Sequence, residues 1–257
     1  MSSSLSIITG ASRGLGLEIA KQLCKPGATI VGLSRGVSDE LTQYARQSST
    51  RLLQWPVDLT KPCVAAGKLE HWFQQEDAEG YSSVTLINNA GMLGQLAPLE
   101  EISAEIITST LVVGLEAPLQ LTRSFIRSVR DWSMPKKVLN ISSGMGRRAQ
   151  AGSILYCAAK AGMDHFTRCV ALDEVRRTNG VRITSLAPGV IDTDMQQELR
   201  ESDPALFPDR ERYIQFKQNS VLKSAEDVAE NILFYLNSEE FGVEPVTNLI
   251  EMKGLPK

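Results

Sequence analysis

Tyr156 and Lys160, in the run Ser153-Ile154-Leu155-Tyr156-Cys157-Ala158-Ala159-Lys160-Ala161-Gly162, stand four residues apart. On a helix that spacing puts both on one face, one turn apart. A free phenol ionises near pH ~10, roughly three units too high for an efficient proton donor at neutral pH. Closing that gap needs about 4 kcal/mol of preference for the phenolate. An ammonium about 4 Å away supplies roughly that much at an effective dielectric of ~20. The pair therefore predicts proton transfer to an oxygen on which negative charge develops. Surface helices also carry Tyr-x-x-x-Lys by chance, so the weight of the pair comes from four further segments.

A glycine-rich segment, Thr9-Gly10-Ala11-Ser12-Arg13-Gly14-Leu15-Gly16, follows the apolar run 5–8 and opens a helical stretch. Gly10 and Gly14 suit a strand-to-helix turn that brings backbone close to a ligand, and Gly16 suits close packing of helix on strand. The unpaired N–H groups at such a helix start can meet a pyrophosphate. The spacing departs from Gly-x-Gly-x-x-Gly, and taken alone it reads equally well as an ordinary glycine turn. Three more loop motifs each follow an apolar strand. They are Asn88-Asn89-Ala90-Gly91; Asn140-Ile141-Ser142-Ser143-Gly144, with Ser143 thirteen residues before Tyr156; and Pro188-Gly189-Val190-Ile191-Asp192-Thr193.

In this order and register the five segments resemble the short-chain dehydrogenase/reductase family over essentially the whole chain. Residues 187–196, with 86–92 and Tyr156-Cys157, look more particularly like its sepiapterin reductase and bacterial benzil reductase branch. The resemblance implies a doubly wound Rossmann fold with strand order 3-2-1-4-5-6-7. It implies carbonyl reduction by hydride from a nicotinamide cofactor. It also implies three catalytic residues: Tyr156 protonates the oxygen, Ser143 hydrogen-bonds it, and Lys160 keeps Tyr156 poised and bonds the nicotinamide ribose. Ser142, the competing serine, is expected to support the backbone.

Cofactor contacts are expected, by the same resemblance, at Gly10, Ser12, Arg13, Gly14, Leu15 and Gly16 in the turn. They continue at Ser34, Arg35, Asp58 and Leu59 on the next two strand ends, then at Asn89, Ala90 and Gly91. Pro188, Gly189, Val190 and Thr193, with Tyr156 and Lys160, complete the nicotinamide side. Asn88 is expected to tie adjacent strands, and Asp58 reads on its own equally well as a turn or cap residue. An NAD-specific site normally carries Asp or Glu near the end of strand two. Here Ser34 and Arg35 stand there, with Arg13 in the glycine turn, and a guanidinium forks onto phosphate. The expected cofactor is therefore NADP(H).

Two departures from the family pattern matter. Gly114 stands where the family commonly has an asparagine that joins the lysine to solvent through a water, which puts the proton relay in doubt. Pro118 should kink the same helix or free a carbonyl one turn earlier. Asn248 aligns with the acidic residue that sepiapterin reductases use to anchor the pterin, which lowers that reading. Met92, Leu93, Met145, Leu155 and Met195 suggest an apolar pocket, although methionine is also common core filler. Arg147 and Arg148 could meet an anionic group or be solvated. The expected activity is NADPH-dependent reduction of a ketone or a benzil-like 1,2-diketone. The alternatives are a pteridine or other ketone reductase, an alcohol dehydrogenase run oxidatively, and a non-catalytic NADP(H) sensor.

The elements that must position these groups alternate along the chain. Candidate strands at 5–9, 28–34, 51–57, 84–88, 137–142, 181–187 and 246–252 are separated by helical stretches at 14–25, 62–75, 103–130, 152–177 and 225–237. That alternation argues α/β structure with right-handed βαβ units on a parallel sheet. Residues 194–220, charged and carrying Pro204 and Pro208, read as a substrate lid of short helices on one domain spanning 1–257.

The chain has 257 residues, 42% apolar and 22% charged, enough for one sizeable core. A net charge of −3 without a basic stripe argues against a nucleic-acid surface. No apolar stretch approaches the ~20 residues that span a membrane, and 1–4 lead straight into the first strand, so a cytoplasmic protein is expected. Cys24, Cys63, Cys157 and Cys169 show no metal or disulfide spacing. His71 and His165 read as surface or packing residues, and no metal is expected. The family implies a homodimer or homotetramer through 103–130 and 152–177, with tetramer contacts reduced by the short end 253–257.

Overall fold

The computed structural model describes residues 3–252. Its elements, in order, are β1 (Ser4–Thr9), α1 (Gly14–Leu23), β2 (Thr29–Ser34), α2 (Asp39–Gln47), β3 (Arg51–Pro56), α3 (Pro62–Phe73), β4 (Ser83–Asn88) and α4 (Ala104–Leu111). Then come α5 (Ala117–Ser128), β5 (Lys136–Ile141), α6 (Ile154–Glu174), β6 (Arg182–Ala187), α7 (Asp194–Glu201), α8 (Arg210–Gln218), α9 (Ala225–Asn237) and β7 (Val246–Asn248). The strands form one parallel sheet in the order β3-β2-β1-β4-β5-β6-β7, as the family resemblance implied.

Neighbouring residues on a strand face opposite sides, and here both sides are apolar. Ile7, Val31, Leu86 and Val138 pack with Leu69 and Phe73 of α3 and Leu121 and Phe125 of α5. The residues beside them, Ile8, Ile30, Ile87 and Leu139, pack with Ile19 of α1 and Val228 and Ile232 of α9. Helices on both faces leave the C-terminal edge of the sheet as the exposed crevice, and the strand order reverses between β1 and β4. Asn88 ties the neighbouring strand, donating to Asn140 Oδ1 at 2.8 Å and to Thr122 Oγ1 at 3.1 Å. Asn140 in turn donates to Thr167 Oγ1 at 2.9 Å, so the strand ends beneath the crevice are fixed to α5 and α6.

Two expectations change, and one helix is new. The helix expected over 103–130 is interrupted by a wide turn at Val112–Glu116, in which the Ala117 N–H reaches back five residues to the Val112 carbonyl. Pro118 has no N–H to offer the Gly114 carbonyl one turn before it, which accounts for the break. Gly114 is buried there, and a Cβ on it would stand 2.8 Å from Ala159 Cβ on α6. Glycine at 114 is thus what lets α6 come this close, and an asparagine would fit only if Ala159 also gave way. The last strand ends at Asn248, not at 252, because the Asn248 side chain accepts from the Ile250 N–H at 3.2 Å and starts a single turn. The helix α2 was not singled out from sequence. It begins where Ser38 Oγ accepts from Leu41 N–H at 3.1 Å, a cap that contributes about 1 kcal/mol. The reading of 253–257 lies outside the described residues. Among the described residues no helix is long and apolar enough to cross a membrane.

Candidate active site

The C-terminal ends of β1 to β6 open onto one cleft of about 780 Å³. At one end lies the glycine turn. Gly10 and Gly14 adopt φ of +70° and +55°, a left-handed backbone that side chains rarely take. A Cβ on Gly10 would meet Ala90 Cα at 3.2 Å, so the turn lies tightly against the end of β4. Asn89 and Thr9 hold it there: Asn89 Nδ2 donates to the Thr9 carbonyl at 3.0 Å, and Thr9 Oγ1 accepts from the Asn89 and Ala90 N–H groups. The side chain of Asn89 is therefore a strut that also lines the cleft. No side chain caps the start of α1 and no acidic residue stands in its first turn, so its N–H groups are left for an anion.

Of the residues expected to touch a cofactor, Gly10, Ser12, Arg13, Gly14 and Leu15 line the cleft. Gly16 does not. It faces the strand, where any Cβ would run into the Gly10 carbonyl, so its part is helix packing. Ser34 and Arg35 line the adjoining rim with Asp58 and Leu59. Ser34 Oγ is buried without a partner, an arrangement that suits a ligand acceptor. Asp58 accepts from the Thr60 N–H at 3.0 Å, which with nearby Lys61 and Arg35 holds its carboxyl below the usual range. It is thus a turn residue that also faces the cleft. Arg13 forms an exposed 2.5 Å ion pair with Asp194 at the start of α7. Across the cleft stand Pro188, Gly189, Val190 and Thr193, with Ala90 and Gly91 below.

At the other end Ser143, Tyr156 and Lys160 converge. Tyr156 and Lys160 are both nearly fully buried. Lys160 Nζ donates to the Ile141 carbonyl at 2.6 Å and stands 5.5 Å from the Tyr156 ring centre. Burial lifts the Tyr156 phenol to about 12, against a hydrogen bond with Ser143 that favours the phenolate. Burial also pulls the Lys160 ammonium down to about 8, against the carboxylate of Asp164. The pre-lowered phenol expected from spacing is thus absent from the free chain. Desolvation outweighs the Ser143 hydrogen bond, and the ammonium donates to the Ile141 carbonyl instead of the phenol.

Behind these groups Asp164, one turn beyond Lys160, accepts from Ser185 Oγ at 2.6 Å and from Arg147 Nε at 3.3 Å. Arg147 also donates to the Thr247 carbonyl at 2.5 Å. It stays exposed to solvent, and its two contacts fasten the loop after Ser143 onto α6 and β7. Met92, Leu93, Met145 and Met195 line the cleft as expected, together with Arg148. Leu155 does not, since it packs in a separate core with Ala97 and Ile102. Helices α7 and α8, which lie within 194–220, supply one wall through Leu199, Tyr213 and Phe216. Asn248 lines the cleft too, with its oxygen already engaged by the Ile250 N–H.

Residues 5–204 match the family model described as short chain dehydrogenase. The chain belongs to the short-chain dehydrogenase family. A benzil reductase ((S)-benzoin forming) of Bacillus cereus is 37% identical over 235 residues, covering 91% of this chain and 94% of that protein. A sepiapterin reductase of Meriones unguiculatus is 31% identical over 247 residues, covering 91% and 92% respectively. A solved short chain dehydrogenase/reductase structure from Saccharomyces cerevisiae superposes with a TM-score of 0.81 over 100% of both chains at 20% identity, and so has the same fold. Like its family, this chain is an oxidoreductase of C=O and CH–OH groups in small molecules and binds a nicotinamide cofactor. The uncapped start of α1, the left-handed glycines and the orphaned Ser34 hydroxyl fit such a cofactor. Motif spacing missed Gln150, Tyr213 and Phe216, because they sit on segments without a fixed distance to any motif. The aromatic content of 207–216 was the available signal.

Proposed function

We propose that this protein is an NADPH-dependent carbonyl reductase that converts a bulky ketone, best a benzil-like 1,2-diketone, to the hydroxy ketone. The observation that carries the reading is the single cleft, with an arginine-rimmed nucleotide end and an apolar, aromatic end that meet at Tyr156. The chemistry a nicotinamide supplies when bound is a hydride for the carbonyl carbon. Tyr156 Oη gives its proton to the carbonyl oxygen, and Ser143 Oγ donates a hydrogen bond to that oxygen as charge builds on it. Lys160 keeps a positive charge beside the phenol and holds the cofactor's ribose hydroxyls. Gly10, Ser12 and Gly14 take the pyrophosphate, and Ser34, Arg35 and Arg13 the adenosine phosphate. Asp58, Leu59, Asn89, Ala90 and Gly91 border the adenosine, while Pro188, Gly189, Val190 and Thr193 border the nicotinamide. Residues 194–220 serve as a lid, and the protein works as a cytoplasmic homodimer or homotetramer.

Initial rates of NADPH oxidation with benzil, a simple aryl ketone and sepiapterin test the reading. Benzil is expected to exceed sepiapterin in kcat/KM by at least about tenfold, the worth of one good polar contact. A faster pteridine would replace the substrate, and NADPH binding without turnover of any carbonyl would favour the sensor.

The two buried groups also set a pH profile. Reduction needs Tyr156 protonated and Lys160 charged. The phenol, pushed up to about 12, stays protonated across the accessible range. Lys160, lowered to about 8, is charged below that value and neutral above it. The kcat/KM for reduction should be level below pH 8 and fall about tenfold per unit above it. Asp164→Asn removes the carboxylate that raises Lys160, so the break should move to lower pH. A profile level to pH 10, or an unmoved break in the variant, contradicts this role for Lys160.

A further inference from the structure

Gln150 lies on the connection between Ser143 and α6 and lines the same cleft as Tyr156 and Met145. Its Oε1 accepts from the Tyr213 hydroxyl at 2.8 Å. Tyr213, on α8, is buried between Phe207 and Phe216, each with its ring centre 5.7 Å away. Burial raises the Tyr213 phenol, so it remains a hydrogen-bond donor at neutral pH. With its oxygen held, the amide of Gln150 must turn its NH2 the other way. That Nε2 is buried and has no partner in the protein. A buried amide donor left unpaired is costly, and such groups in native proteins commonly await a ligand. Tyr213 packs in the same buried cluster as the Tyr156 ring, and Gln150, Tyr213 and Tyr156 line one cleft.

We propose that Gln150, oriented by Tyr213, is the specificity residue of this site and hydrogen-bonds the second oxygen of a 1,2-dicarbonyl substrate. The inference rests on the carbonyl-reductase reading and goes beyond it. Ser143 and Tyr156 hold the oxygen being reduced, and Gln150 Nε2 donates to the neighbouring carbonyl oxygen. A monoketone leaves the amide unpaired and is disfavoured, because a site built to hydrogen-bond a substrate group discriminates strongly against the analogue without it. The aromatic rings of Tyr213 and Phe216 favour aryl substituents on the same compounds.

The test compares kcat/KM for benzil with that for deoxybenzoin, which has the same two rings and one carbonyl. Gln150→Met removes the donor at similar volume, while Gln150→Glu keeps an oxygen for Tyr213 and replaces the donor with an acceptor. In both variants the benzil-to-deoxybenzoin ratio should fall about tenfold or more, in line with one buried hydrogen bond. Tyr213→Phe, which frees the amide to rotate, should lower the ratio in the same direction. A ratio within about twofold of the wild type in the Gln150 variants overturns the proposal. Wild-type protein that reduces both ketones equally sinks the dicarbonyl contact but leaves the reductase reading intact. Wild-type protein that reduces neither removes both.

Discussion

Tyr156→Phe should lower kcat for carbonyl reduction by about 10²- to 10⁴-fold, the usual contribution of a positioned proton donor. The substitution deletes one oxygen and keeps the ring. That ring packs with Leu93, Leu199, Phe207 and Tyr213, so the variant should fold and melt close to the wild type. The nucleotide end of the cleft is built from the glycine turn and the ends of β2 and β3, none of which depends on the phenol. The dissociation constant for NADPH, read by protein fluorescence, should therefore stay within about threefold. A variant that keeps kcat within tenfold removes Tyr156 as the acid, and one that loses NADPH binding as well points to misfolding. The direction of the phenol's shift adds a second consequence. Held protonated to about 12, Tyr156 carries the proton that reduction needs, although it holds it more tightly than a free phenol, and it is rarely the phenolate that oxidation needs. The free chain is thus arranged for reduction, and alcohol oxidation should be the slower direction at neutral pH.

The sheet and the strand-end motifs were legible because each rests on a local rule. Alternating apolar strands and amphipathic spacers specify parallel βαβ structure, and glycine at positions 10 and 14 meets a backbone demand that few residues satisfy. Strand order came from family resemblance alone, because periodicity is blind to it. What spacing could not supply were effects of packing. Whether Lys160 lowers or fails to lower the Tyr156 phenol depends on burial and on the Ile141 carbonyl, both set by the folded crevice. Gly114 reads in sequence as a missing asparagine and in the fold as the point where α6 comes against the preceding helix. Arg147 is an exposed charge in the fold as well, but nothing in the sequence shows that Asp164, seventeen residues away, is its buried partner. Gln150 gives no sequence signal, since its importance depends on Tyr213, 63 residues later.

Cofactor choice offers the other large effect. Arg35→Asp is expected to lower kcat/KM with NADPH by about 10²- to 10³-fold. One charge-assisted hydrogen bond, worth roughly 1.5–3 kcal/mol, is lost and a like charge then faces the adenosine phosphate. NADH carries no phosphate there and should change by less than about threefold, so the NADPH/NADH ratio should collapse or invert. Arg13→Ala should have a smaller effect, although it removes the same charge. Arg13 is shared with Asp194 across an exposed contact, and a phosphate must compete for it. Ser34 Oγ, buried and unpartnered beside Arg35, has no such rival, so Ser34→Ala should weaken NADPH more than its single hydroxyl would on an open surface. The ratio of the two cofactors is the deciding measurement, because a general loss of folding or of the glycine turn depresses both equally. An unchanged ratio in Arg35→Asp would move phosphate recognition to Arg13 and require the Asp194 pair to open on binding.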